Sequence, residues 1–187
     1  MKIIFIVLIS CTLLLTACGT TQEVPTAAPL ATNPGVILAL GDSLTAGYGL
    51  PESENYPAQL ESTLQSEGYH YSVQNAGVSG DTSAGLLSRL DWILDGDPSA
   101  EKTSTGTYAL AILCIGANDA FQGKSVADIE KNLRTIIEKI RAKNIPLLLA
   151  GMRAPFNLGL EYRDQYDAVF EKLAKEYKIS YIPFFLA

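Results

Sequence analysis

From residue 36 onward, short unbroken apolar runs alternate with longer stretches whose apolar residues recur every three or four positions. The runs are VILAL (36–40), YALAILCIG (108–116), PLLLAG (146–151) and ISYIPFF (179–185). Such runs, bounded by glycine or polar residues, predict strands buried on both faces. YHYSVQNA alternates instead and predicts a further strand beginning near residue 70. The periodic stretches predict four helices. Residues 56–67 put Tyr56, Leu60 and Leu64 on one face, with Pro57 suited to the first turn. Residues 82–94 do the same with Leu86, Leu87, Leu90, Ile93 and Leu94, after Asp81 or Thr82 as cap. Residues 126–143 carry Ile129, Leu133, Ile136, Ile137 and Ile140, opened by a Ser125/Asp128 capping box and closed by Lys139, Arg141 and Lys143. Residues 160–177 turn Tyr162, Tyr166, Val169, Phe170 and Leu173 inward.

Five strands alternating with helices imply an α/β domain, a parallel sheet with helices on both faces. Ligands of such sheets bind outside the carboxyl ends of the strands. Chemistry is therefore expected in Asp42-Ser43, Val78 to Asp81, Gly116 to Asp119 and Met152 to Pro155.

The first 34 residues break this pattern. Lys2 is the one charge in residues 1–17, an apolar stretch of signal-peptide length. It is short for a membrane span, which needs about 20 apolar residues. It ends in LTAC, which resembles the lipobox of bacterial lipoproteins, and that resemblance implies Cys18 as a lipidated first residue. The alternative is an ordinary secretory signal with an incidental cysteine. Residues 18–34, rich in Thr, Ala and Pro, are expected to form a tether, and residues 35–187 the domain. An extracytoplasmic protein held on a bacterial membrane is the implied location.

Composition narrows the function. The chain has 187 residues, 48% hydrophobic and 18% charged, enough for one domain with a sizeable core. Its formal net charge of −6 offers no basic surface for nucleic acid. Removing residues 1–17 takes away one lysine and no acid, and also Cys11. Cys114 is then the one thiol apart from Cys18, so no intramolecular disulfide is expected, and its apolar surroundings predict a buried core residue.

The expected strand ends hold matching chemistry. Gly41-Asp42-Ser43 follows the first, NAGVSGD (75–81) the second, and Gly116-Ala117-Asn118-Asp119 the third. A serine hydroxyl, bare glycine backbone and a carboxamide at one sheet edge are parts of an acyl-transfer site: a nucleophile with donors for an oxyanion. Residue by residue, plainer readings exist: a Gly-rich turn around Ser43, a helix cap at Asp81, a turn residue at Asp119.

GDSLTAG, NAGVSGDTS and GAND together resemble three sequence blocks of the GDSL, or SGNH, hydrolases, and in particular their arylesterase and thioesterase I/lysophospholipase group. The resemblance runs from about Val36 to the end. It implies a three-layer α/β/α sandwich with a flavodoxin-like five-stranded parallel sheet. It also implies hydrolysis of an ester, thioester or lysophospholipid through an acyl-enzyme on Ser43. The Ser43 N–H, the Gly80 N–H and the Asn118 side chain would form the oxyanion hole, with Asp42 ordering the turn. Residues 41–45 read Gly-Asp-Ser-Leu-Thr, not the Gly-x-Ser-x-Gly elbow of α/β-hydrolases. No metal or organic cofactor is expected, and a monomer is.

One part of the family pattern has no match, the Asp-x-x-His block that supplies the base. The chain has a single histidine, His70, expected at the amino end of the second strand and so about 20 Å from the chemistry. YIPFFLA stops inside an apolar run without a covering helix. The expectation is that the C-terminal helix and the Asp-x-x-His lie beyond Ala187. The competing readings are a member of the same fold that binds acyl groups or glycans without catalysis, and a carbohydrate O-acetyl esterase. Tyr48, Met152 and Phe156 are left open, as lining of an acyl groove or as packing residues.

Overall fold

The computed structural model describes residues 35–95 and 108–187. The expected signal segment, Cys18 and the whole tether lie outside the described residues. Five strands form one wholly parallel sheet: β1 (Val36–Gly41), β2 (Ser72–Gly77), β3 (Leu110–Cys114), β4 (Leu147–Ala150) and β5 (Ser180–Ile182), in the order β2-β1-β3-β4-β5. The helices are α1 (Ser43–Ala46), α2 (Tyr56–Ser66), α3 (Ser83–Asp95), α4 (Ala117–Phe121), α5 (Val126–Ala142) and α6 (Leu160–Tyr177). Short 3-10 turns occupy Glu52–Glu54 and Phe156–Leu158. The α/β architecture is the expected one.

Register decides which side chains share a face. Leu38 pairs with Ala111 and Ala111 with Leu147, while Leu40 pairs with Leu113 and Leu113 with Leu149. All six are buried in one core with Leu86 and Leu90 of α3, Ile129, Leu133 and Ile137 of α5, and Tyr166 and Phe170 of α6. Those three helices form one layer. The crossover from β1 to β2 carries α2, which packs against β2; since β1 to β2 runs the opposite way across the sheet from the later connections, the usual right-handed crossover puts α2 on the other face. β2 is an edge strand, which explains its greater exposure against the continuous burial of β1 and β3.

Local signals hold at α5, where the Ser125 hydroxyl accepts from the Asp128 N–H at 3.1 Å and donates to its carboxylate at 2.6 Å. At α3 the cap is Thr82, whose hydroxyl accepts the Gly85 N–H at 3.2 Å. Asp81, the other candidate, is not the cap; its carboxylate binds Arg89 instead. β5 is shorter than its apolar run. Pro183 has no N–H to continue a ladder, and the chain turns over the sheet edge, where the Phe185 N–H donates to the Gly151 carbonyl at 3.0 Å.

Candidate active site

The carboxyl end of β1 delivers Ser43 by way of a capped turn. Asp42 is the N-cap of α1, its carboxylate accepting the Leu44 N–H at 3.0 Å, and Ser43 is the first helical residue. Its N–H therefore lies outside the intrahelical ladder. Asp42 is 1% exposed. Burial raises its pKa above the ordinary carboxylate value, with the Leu44 N–H pulling the other way. Its bond to the Leu44 N–H closes the turn that carries Ser43.

The α1 turn sits tightly between strand ends, which is why glycine is required there. A Cβ on Gly41 would overlap the Thr45 hydroxyl and the Cys114 carbonyl, and one on Gly77 would overlap the Ala46 backbone nitrogen. Thr45 is wholly buried and shares a 3.5 Å hydrogen bond with the Tyr56 hydroxyl.

The second strand end forms a β-turn. Val78 N–H donates to the Gly41 carbonyl at 3.1 Å, and Asp81 N–H donates to the Val78 carbonyl at 3.1 Å. Gly80 has φ +83° at the third position of that turn, the residue that must be left-handed in a type II turn. Nothing crowds Gly80, so the glycine serves backbone conformation. Its N–H makes no hydrogen bond among the described residues.

The third strand end is joined to the second. Asn118, half-buried in α4, donates one Nδ2 hydrogen to the Asp81 carbonyl at 2.8 Å. A carboxamide nitrogen has two hydrogens, so one remains to be offered. Asp119, expected to be a turn residue, is instead a buried anchor at 2% exposure. It accepts the Ser83 N–H at 2.7 Å and the Ser83 hydroxyl at 2.6 Å, and the Asn132 side chain donates to that hydroxyl at 3.0 Å. Arg89 completes the stitching, unforeseen in sequence. Its Nε binds the Asp81 carboxylate at 2.8 Å and its Nη2 donates to the Gly41 carbonyl at 3.2 Å.

Ser43 and Asn118 line one cavity of about 250 Å³, with Asp42, Phe121, Met152, Arg153 and Phe184 among its walls. Met152 lines the cavity and is also part of the buried core, so both of its open readings hold. Tyr48 and Phe156, 81% and 85% exposed, are not among its lining residues. Gly80 is not a wall residue either; it stands one residue from the Asn118 acceptor. A larger groove of about 730 Å³ runs between α2 and β2 past Glu61 and Val73, and includes neither Ser43 nor Asn118. His70 is exposed and precedes β2, at the opposite edge of the sheet from Ser43. Among the described residues, no group of three or more His, Cys, Asp or Glu side chains is placed to hold a metal ion.

The GDSL-like Lipase/Acylhydrolase family profile matches residues 39–187. Esterase TesA of Pseudomonas aeruginosa is 38% identical over 150 residues, covering 80% of this chain and 70% of that protein. Thioesterase 1/protease 1/lysophospholipase L1 of Escherichia coli K12 is also 38% identical, covering 80% of this chain and 66% of its own length. The chain thus spans about two thirds of these relatives. Among solved structures, AlinE4, an SGNH-hydrolase family esterase, superposes with a TM-score of 0.75 at 46% identity, covering 82% of this chain and 77% of that one. A structure of TesA gives a TM-score of 0.71 at 38% identity, covering 81% and 79%.

Proposed function

The chain belongs to the GDSL-like lipase/acylhydrolase family, and from that premise we propose that Ser43 is the nucleophile of an ester hydrolase acting on carboxylic esters or acyl thioesters. The Ser43 oxygen adds to the carbonyl carbon, and the carbonyl oxygen becomes an oxyanion. That oxyanion is received by the Ser43 N–H, the Gly80 N–H and the free hydrogen of Asn118 Nδ2. The C–O or C–S bond then breaks, the leaving group departs with a proton as alcohol or thiol, and water releases the acyl group. One observation carries the reading: the 2.8 Å bond from Asn118 to the Asp81 carbonyl holds the third strand end against the Gly80 turn. This tie between the segments that carry the two proposed donors supports the reading, because oxyanion stabilisation requires donors held in advance.

The proton from Ser43 needs an acceptor. His70 is the one imidazole in these 187 residues, and its place at the far edge keeps it from that role. The 187-residue polypeptide accordingly carries nucleophile and oxyanion donors without the imidazole, and should turn over p-nitrophenyl esters very slowly. Added imidazole should accelerate p-nitrophenyl butyrate hydrolysis above its background rate in the wild type. Ser43→Ala should abolish that excess, and Asn118→Ala should cut it by about 10²–10³. An excess that survives Ser43→Ala contradicts the assignment.

The cavity is smaller than the usual 300–1,000 Å³ of ligand pockets, which favours short acyl groups. On that ground an O-acetyl ester of a carbohydrate is the second reading, and a comparison of acetyl, butyryl and octanoyl p-nitrophenyl esters under imidazole rescue ranks the two. We also propose that Cys18 is lipidated and holds the protein on the outer side of a bacterial membrane, as a monomer. LTAC and the Thr/Ala/Pro-rich segment after it support this. Radiolabelled palmitate should enter the wild-type protein and not Cys18→Ser; labelling of both, or neither, contradicts it.

A further inference from the structure

The turn that carries Ser43 and the turn that carries Gly80 are joined by one cation. Arg89 stands on α3, and its guanidinium is shared between them: Nε binds the Asp81 carboxylate at 2.8 Å and Nη2 donates to the Gly41 carbonyl at 3.2 Å. Gly41 lies two residues before Ser43, and Asp81 directly follows Gly80. Between Lys2 and Arg89 the sequence has no lysine or arginine. Neither turn has a base of its own, so the charge that joins them comes from α3.

Asp81 is the hub of this junction. Its N–H donates to the Val78 carbonyl at 3.1 Å, its carbonyl accepts Asn118 Nδ2 at 2.8 Å, and its carboxylate holds Arg89. A shift of Arg89 therefore reaches the Ser43 turn, Gly80 and Asn118 together. The pair is partly withdrawn from water, with side chains 24% and 13% exposed. A planar fork bonded to two separate acceptors fixes their separation, which an ammonium cannot do. Charge adds to geometry. Behind burial, the negative charges of Asp81 and Asp119 raise the Asp42 pKa, so an oxyanion at Ser43 forms near three carboxylates. Among the described residues, Arg89 is the one cation bonded to any of them. It is not a wall residue of the Ser43 cavity, so it acts through other groups and not on substrate.

Resting on Ser43 as the nucleophile, we propose that Arg89 is a positioning residue that sets the distance from Ser43 to the Gly80 and Asn118 donors. Its loss slows acyl transfer and leaves substrate affinity alone, because those donors matter most once the carbonyl oxygen carries charge.

Imidazole-rescued hydrolysis of p-nitrophenyl butyrate tests this on the whole chain, at a temperature where near-ultraviolet circular dichroism shows each variant folded. Arg89→Met keeps the apolar stem and removes the fork. Its kcat should fall about tenfold or more, the cost of misplaced donors, with KM within about twofold. Arg89→Lys keeps a charge beside Asp81 without the planar fork, and its kcat should fall by a smaller factor. Lys139→Met breaks the exposed pair that Lys139 of α5 makes with Asp91 of α3 at 2.7 Å, and should match wild type. An Arg89→Met kcat within about threefold of wild type overturns the positioning role. So does a loss carried by KM, an Arg89→Lys kcat equal to that of wild type, or an equal loss in Lys139→Met. Each of these leaves Ser43 standing as nucleophile. Where Arg89→Met does not fold, Arg89→Lys decides by the same criterion. An imidazole-dependent rate that Ser43→Ala retains, or none in the wild type, overturns both readings.

Discussion

Replacing Asp119 by alanine should be the most damaging single change at the sheet edge short of a glycine substitution. The carboxylate is 2% exposed and receives two hydrogen bonds from Ser83, one from the backbone at 2.7 Å and one from the hydroxyl at 2.6 Å. Ser83 is itself wholly buried at the start of α3. Asp119→Ala leaves a buried N–H and a buried O–H without acceptors. Each costs about 1–3 kcal/mol, so the loss should be about 2–6 kcal/mol. Against a typical domain stability of about 5–15 kcal/mol, that is a large fraction. Asn132 still donates to the Ser83 hydroxyl, but it cannot accept that hydroxyl's proton through the same contact. Asp119→Asn keeps one acceptor oxygen and should lose less. Urea denaturation followed by circular dichroism measures the change, and a double-mutant cycle with Ser83→Ala isolates the pair, which should be coupled by about 1 kcal/mol or more. A loss below about 1 kcal/mol for Asp119→Ala, or strict additivity in the cycle, would refute the reasoning.

Other outcomes follow from the same edge. Gly77→Ala forces a Cβ into the Ala46 backbone and should destabilise by about 3 kcal/mol or more; a variant melting within a degree of wild type would contradict the clash. Burial pushes the Cys114 thiol up to about 12, so its peptide should stay unlabelled by a disulfide reagent in native protein near pH 8 and label fully in guanidinium. For Asp42, burial raises the folded pKa above the ordinary 3.8. Its contribution to stability is then fully present below that ordinary value and is lost as pH climbs through the raised one. Asp42→Asn, which keeps an N-cap acceptor without a charge, should gain stability relative to wild type as pH rises from about 4 to about 7. A difference independent of pH would show that the carboxylate is not strained by burial.

What could be read in the sequence follows from the range of each interaction. β1, β3 and β4 announce themselves because both faces are buried, which requires unbroken apolar runs. α5 is marked at its start by Ser125 and Asp128, three residues apart. The positions of Ser43 and Asn118 follow from strand ends alone. α1 and α4 could not be seen that way: with four and five residues they are too short to show a period. The roles of Asp119 and Arg89 were invisible for another reason, since Asp119 bonds a residue 36 positions away and Arg89 reaches back 48 positions to Gly41. No local pattern encodes such a partner. The early end of β5 was legible in part, because Pro183 forbids continuation, yet the turn of Phe185 onto Gly151 depends on the finished sheet.

The central claim is that Ser43 accepts an acyl group. It is tested most directly by incubating the protein with p-nitrophenyl butyrate and imidazole, quenching in acid, and locating the added butyryl mass by peptide sequencing. One butyryl group is expected on the Ser43 hydroxyl, absent in Ser43→Ala and diminished in Asn118→Ala. Butyryl found only on other residues, or an unchanged yield in Ser43→Ala, would contradict it.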